Sequence, residues 1–191
     1  MQPMYKIPAI IFAGGRSSRM GEDKSQLPFA GYPSLSEYQY RRLGKLFEEV
    51  YLSAKSDKFC FECQLITDSY AVHSPLAALV SVFEKLDVPE VFILSVDAPF
   101  VDERVIGKLM DERSEAYDVI VAESPHGREP LCGIYRRAIL PEAAQMLKNG
   151  DHRLTTLLET VKTKRVCFTA KEPFLNLNRP DEYQEALKRL L

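Results

Sequence analysis

The 191-residue sequence has no excess of positive charge: 25 Lys and Arg stand against 27 Asp and Glu, a formal net charge of −2. No basic stripe is available to displace counterions from a polyanion, so general nucleic-acid binding is not expected and any anion must be held locally. The chain also lacks any run approaching the roughly 18 apolar residues of a membrane helix. Its first residues, Met-Gln-Pro-Met-Tyr-Lys, do not follow the charged-then-apolar order of a signal peptide. A cytoplasmic protein without a membrane partner is expected. A second cysteine pair is missing as well. Cys60 and Cys63 form a Cys-x-x-Cys, but Cys132 and Cys167 stand alone and His73 falls in a loop before a helix, which argues against a zinc site. Cys63 leads into the strand-like Gln64-Leu65-Ile66 instead of opening a helix, which argues against a redox pair. Internal repeats, low-complexity stretches and linkers are absent too. With 46% hydrophobic residues, a chain of this length buries about 70% of its unfolded surface in one core. Residues 1–191 are therefore read as a single domain.

What is present is a regular alternation. Ala-Ile-Ile-Phe over 9–12, entered through Pro8, has the short, wholly apolar character of a strand buried on both faces. Ser34 is placed to cap a helix carrying Leu35, Tyr38, Leu43, Leu46 and Phe47. Strands are predicted over 49–53 and 64–67. Ser74-Pro75-Leu76, followed by Leu79, Val80, Phe83 and Leu86, has the spacing of an amphipathic helix with Pro in its first turn. The most apolar run, 91–96, reads as the central strand and stops at Asp97-Ala98-Pro99. Beyond it the pattern predicts a helix over 101–110, a strand over 118–122, an exposed loop over 124–130, helices over 138–147 and 154–161, a strand over 165–168 and a closing helix over 181–190. Alternating strands and helices imply an α/β fold of three layers, Rossmann-like, its mostly parallel sheet covered on both faces. Ligands of such sheets sit at the carboxyl ends of the strands.

The first strand runs into Gly14-Gly15-Arg16-Ser17-Ser18-Arg19-Met20-Gly21-Glu22-Asp23-Lys24. Glycines that admit φ > 0 and a close ligand, joined by three cations, suggest a phosphate cradle made of main-chain N–H groups. It matches neither familiar motif. Glu22 and Asp23 separate Gly21 from Lys24-Ser25, unlike a P-loop, and the glycine spacing is not that of a dinucleotide fold. Asp97, at the end of the central strand, suits either a turn or cap aspartate before Pro99 or a carboxylate that holds a cation.

The run Phe12-Ala13-Gly14-Gly15-Arg16-Ser17-Ser18-Arg19-Met20-Gly21-Glu22-Asp23-Lys24 resembles the signature of nucleotidyltransferases, and most nearly that of the molybdenum cofactor guanylyltransferases. Ser95-Val96-Asp97-Ala98-Pro99-Phe100 is similar to that family's strand-end motif, whose aspartate binds Mg²⁺. Ser74-Pro75-Leu76-Ala77-Ala78 resembles a Gly-Pro-Leu-x-Gly segment with both glycines replaced, and Ser53 stands where the family has a nucleotide-contacting asparagine. Asp68 falls where family members contact the nucleotide, and also reads as a turn residue ending a strand. Pro130-Leu131-Cys132-Gly133-Ile134-Tyr135 and Asn176-Leu177-Asn178-Arg179-Pro180-Asp181-Glu182 resemble segments on the family's acceptor side.

The resemblance implies a nucleotide-diphospho-sugar transferase-like fold and transfer of GMP from GTP to the phosphate of molybdopterin, with release of pyrophosphate. It implies Lys24, Arg19 and Asp97 as catalytic residues and Mg²⁺, held by Asp97, as cofactor. The nucleotide would meet Phe12, Ala13, Gly14, Gly15, Lys24, Ser53, Asp68 and Asp97. Arg128, Tyr135, Asn176 and Asn178 would serve the acceptor, and molybdoenzyme maturation proteins would be transient partners. Two alternatives stand beside it. One is a related nucleotidyltransferase using CTP or a sugar or polyol phosphate; the other is a carrier that binds nucleotide or cofactor without turnover, for which the joint presence of Lys24 and Asp97 would have no purpose.

Overall fold

The computed structural model describes residues 4–14 and 23–189. Its elements follow the expected alternation: β1 (Ala9–Phe12), α1 (Leu35–Leu43), β2 (Val50–Ala54), β3 (Gln64–Thr67), α2 (Pro75–Lys85), β4 (Glu90–Ser95), α3 (Glu103–Asp111), β5 (Val119–Ser124), β6 (Gly127–Arg136), α4 (Leu140–Lys148), α5 (Leu154–Thr160), β7 (Thr163–Cys167) and α6 (Pro180–Lys188). The strands form one seven-stranded sheet in the order β3-β2-β1-β4-β6-β5-β7. β6 runs antiparallel to both β4 and β5, and the other pairings are parallel. The fold is thus the mostly parallel three-layer α/β architecture.

Side-chain alternation explains the three layers. In β1, Ala9 and Ile11 enter a core with residues of α1, α3 and α6, whereas Ile10 and Phe12 enter a second core with residues of α2, α4 and α5. In β4, Phe92 and Leu94 point to the first core and Val91 and Ile93 to the second. A strand flanked by helices on both sides has no polar face, which is why these two read as unbroken apolar runs. Helix starts follow their caps: Ser34 Oγ accepts from Glu37 N–H and Ser74 Oγ from Ala77 N–H, both at 3.1 Å.

Two elements differ from expectation. The helix opened by Ser34 ends at Leu43, with Gly44 as its C-cap; Leu46 and Phe47 are buried from the following turn, Phe47 stacking on Phe92 at 5.2 Å. The expected loop over 124–130 is a hairpin: Gly127, at φ 121°, turns the chain into β6. Glu129 and Pro130 read as loop residues because the strand is irregular there. Its pairing with β5 jumps from Val121–Gly133 to Ala122–Glu129, so Pro130, Leu131 and Cys132 form a wide bulge on β6.

Candidate active site

β1 lies between β2 and β4, the position at which the connections leave in opposite directions and a crevice opens at the carboxyl ends. Phe12, Ser53 and Ser95 are in register there, and main-chain bonds from Ala13 N–H to Ser53 O (2.9 Å) and from Val96 N–H to Phe12 O (3.0 Å) carry the pairing to the last residues. Gly14 follows, exposed. It does not adopt the left-handed conformation expected of it, and a Cβ added to it would stand 3.5 Å from Ala54 Cα, an ordinary contact. Gly15, Arg16 and Arg19 lie outside the described residues.

The loop returns at Asp23, which caps the short 3₁₀ turn Lys24–Gln26 by accepting from Ser25 N–H (3.0 Å) and Ser25 Oγ (2.7 Å). Lys58, a residue the sequence did not single out, donates from one ammonium to Ala13 O (2.9 Å) and to the Asp23 carboxylate. It therefore clamps the chain entering the glycine loop to the chain leaving it. Partial burial opposes the charge of Asp23, but the bonds from Lys58 and Ser25 outweigh it and hold that carboxyl below the usual carboxylate range.

Lys24 is brought to the centre of the crevice. Its Nζ lies 3.3 Å from Asp97 Oδ2 and 3.0 Å from Asn178 Oδ1. The other Asp97 oxygen accepts from Ser95 Oγ at 2.5 Å, and Leu177 N–H donates to the Asp97 carbonyl at 2.9 Å, which ties the 176–178 segment to the end of β4. Glu182 of α6 accepts from the N–H groups of Asn178 (2.7 Å) and Arg179 (2.9 Å), fixing that segment from its other end. Lys24, Asp97 and Asn178 thus converge from three distant parts of the chain.

Asp97 sits between two cavities. The first, about 350 Å³, adjoins Phe12, Gly14, Ser53 and Asp68. The second, about 420 Å³, is lined by the β6 bulge, by His152 and Arg153 with the start of α5, and by Asn176; Pro75, Ser95, Asp97 and Leu131 border both. In the first cavity Asp68 is engaged: it accepts from Lys55 Nζ (2.7 Å), Ser81 Oγ (3.0 Å) and Tyr70 N–H (2.9 Å), with 5% of its side chain exposed. Lys55, also unforeseen, donates in addition to the carbonyls of Tyr70 and Val72 and so moulds the 68–73 segment around the cavity. On the acceptor side, Asn176 and Asn178 border a further cavity with Arg128, whose guanidinium pairs with Glu159 at 2.7 Å. Tyr135 is not brought to either cavity. It is fully buried, and its hydroxyl donates to Pro130 O at 2.6 Å. The strand alternation that sends it into the core leaves it to hold the bulge from behind, while the bulge itself lines the cavity.

A buried polar network under the site was also invisible in the sequence. Gln39 of α1 is fully buried and donates from Nε2 to Val96 O (3.2 Å) and Ser95 O (3.4 Å); Arg42 donates to Gln39 Oε1 from Nε (3.1 Å) and Nη2 (2.5 Å) and to Val101 O. Two side chains thereby satisfy the carbonyls on both flanks of Asp97. Gln39→Leu would take away the donor to Val96 O and the acceptor of Arg42 Nε and Nη2, while Arg42 keeps Val101 O and Ser95 O keeps Ala98 N–H. A ten- to hundredfold loss of kcat, roughly the cost of a small misplacement of a reacting group, is expected with the nucleotide KM within about twofold of wild type. An equal rise in KM would show that Gln39 supports nucleotide binding instead.

A strand running into a glycine loop, a lysine after that loop, and an aspartate at the end of the neighbouring parallel strand, all at the carboxyl edge of a mostly parallel sheet, form the arrangement that the resemblance to nucleotidyltransferases led us to expect. The family described as MobA-like NTP transferase domain matches residues 9–166. Over 184 residues the chain is 37% identical to a molybdenum cofactor guanylyltransferase of Campylobacter jejuni, covering 95% of this chain and 96% of that one. It is 33% identical over 189 residues to one from Helicobacter pylori, covering 96% and 90%. The crystal structure of molybdopterin-guanine dinucleotide biosynthesis protein A from Archaeoglobus fulgidus superposes with a TM-score of 0.82 over 96% of this chain and 98% of that one, at 17% identity. The chain belongs to the molybdenum cofactor guanylyltransferase family.

Proposed function

We propose that this protein transfers GMP from GTP to the terminal phosphate of molybdopterin, releasing pyrophosphate. The observation that carries the reading is the meeting of Lys24, Asp97 and Asn178 on the border between two cavities, each of a size to hold one substrate. GTP occupies the cavity beside Gly14, with its phosphates at the glycine loop. Molybdopterin occupies the cavity under the β6 bulge, with its phosphate toward Asp97. An oxygen of that phosphate attacks the α-phosphorus of GTP, a new P–O bond forms, the bond to the β-phosphate oxygen breaks, and pyrophosphate leaves. The nucleophile is already anionic, so catalysis consists of alignment and charge neutralisation. Lys24 supplies a cation where charge develops, and Arg19 of the loop is assigned the same task. The carboxyl end of β1, with Phe12, Ala13, Gly14 and Gly15, and the facing Ser53 and Asp68 form the nucleotide side; Asn176, Asn178 and Arg128 are assigned to the acceptor side.

The site suits Mg²⁺. Asp97 and Asn178 present oxygen donors to one cationic nitrogen, that of Lys24, so a positive charge is already accommodated there. Among the described residues no cluster of three His, Cys, Asp or Glu could hold a metal alone. Substrate phosphates and water would complete the shell, as Mg²⁺ commonly requires. Bound there, Mg²⁺ supplies charge neutralisation to the phosphate oxygens. No helix among the described residues is long and apolar enough to cross a membrane; a cytoplasmic enzyme handing its product to molybdoenzyme maturation proteins is part of this reading.

The test is pyrophosphate release by the purified protein with Mg²⁺ and molybdopterin, comparing GTP, CTP and ATP. Release with GTP alone is expected. Preference for CTP would overturn the base assignment, and no release with any nucleotide would overturn the reaction in favour of a carrier.

A further inference from the structure

Guanine and a pterin expose the same pattern to a protein: a ring N–H and an exocyclic amino group side by side, next to a carbonyl. An enzyme that joins the two must recognise this pattern in two places, and a carboxylate, which accepts both donors in parallel, is the natural reader. The carboxylate on the nucleotide side, Asp68, already accepts from Lys55, Ser81 and Tyr70. On the acceptor side stands Glu129, to which no role has been given.

Glu129 begins the β6 bulge and lines the cavity of about 420 Å³ beyond Asp97. Its Oε1 accepts from Ser124 Oγ at 2.7 Å, which orients the group. Among the described residues Oε2 has no hydrogen bond and the carboxylate has no ion pair. Burial raises its pKa, against the pull of Ser124 and His126. The same cavity is lined by His152, whose Nδ1 is buried with no hydrogen-bond partner among the described residues. One carboxylate oxygen and one ring nitrogen with hydrogen-bonding capacity left over, in a cavity of mixed polar and apolar lining, are what a ligand with donors and an acceptor on one edge would satisfy.

We propose that Glu129 recognises the pterin of the acceptor, its carboxylate accepting from N3–H and the 2-amino group, with His152 Nδ1–H donating to the neighbouring 4-oxo group. The proposal rests on the guanylyltransferase reading for the identity of the acceptor. Gly14 borders only the other of these two cavities. The triphosphate and its base therefore lie on that side, and Glu129 is left to the pterin.

The experiment titrates the full-length protein with 6-hydroxymethylpterin and with 6-hydroxymethyllumazine, its 2-oxo analogue, by fluorescence. The wild type should prefer the pterin by about ten- to hundredfold, the range for hydrogen bonds to a charged acceptor. Glu129→Gln, which keeps the shape but turns one acceptor into a donor, should abolish the preference while GTP affinity stays within about twofold. A preference that survives in Glu129→Gln, or a wild type that binds neither probe, overturns the proposal. Loss of GTP affinity in place of pterin preference would make Glu129 the guanine reader and overturn it equally. A Glu129-dependent pterin preference in a protein that releases no pyrophosphate would refute the transferase reading alone.

Discussion

Replacing Asp97 by Asn should lower pyrophosphate release by about two to three orders of magnitude, the usual cost of removing one preorganised electrostatic contact from a transition state. The amide keeps the volume of the carboxylate and can still receive the Ser95 hydroxyl, so the local fold should persist. What disappears is the negative charge that holds Lys24 Nζ at 3.3 Å and that would hold the metal. The effect should therefore fall on kcat, with GTP affinity measured by titration calorimetry changing less than tenfold, because the cavity beside Gly14 is bordered by many groups besides Asp97. A variant turning over within about threefold of wild type would show that neither the cation nor Lys24 depends on this carboxylate. A stepwise restoration of activity at high Mg²⁺ or Mn²⁺ would further locate the loss in metal affinity.

Among the described glycines, Gly133→Ala should be the most damaging alanine substitution. A Cβ at this position would stand 2.5 Å from Ile120 O, 2.9 Å from Val121 Cγ1 and 3.0 Å from Val121 Cα, contacts that only movement of the β5 backbone could relieve. Gly133 is the first residue of β6 to pair with β5 after the bulge, and it also pairs with Ile93 of β4. Relief would have to disturb the central sheet. Overpacking at this severity costs about 3 kcal/mol, which lowers Tm by roughly 6–12 °C in a domain of this size. Thermal unfolding followed by circular dichroism would measure it. A shift below about 2 °C would mean that the strands part there without cost.

The two predictions bear on different kinds of legibility. Lys24 stood out in the sequence as one of three cations on the glycine loop; Asp97 stood out as the end of the most apolar strand, where position left a turn residue and a cation-holding carboxylate equally open and the resemblance favoured the second. The resemblance placed Asn178 near the acceptor, but only the structure set it on the same ammonium as Asp97, 154 residues along the chain from Lys24. Tyr135 looked exposed to the acceptor from its motif; two-residue alternation buries it, and its hydroxyl holds Pro130 in place. β6 escaped notice because Glu129 and Pro130 read as loop residues, and the bulge that tolerates them has no sequence period.

Gln39, Arg42, Lys55 and Lys58 belong to a different class. Each looked like an ordinary polar side chain on a helix or in a loop, yet each donates to main-chain carbonyls or a carboxylate in another segment. The sequence by itself determined the alternation of strands and helices, the two-sided burial of β1 and β4, and the glycine loop, since these are written in neighbouring residues as apolar periodicity, caps and turn formers. The tertiary structure alone decided the antiparallel insertion of β6, the bulge that lines the second cavity, and the polar partners that aim Lys24 and Asp97 at each other. Those features depend on pairing across the sheet and on carbonyls every residue possesses, so no residue type or spacing announces them.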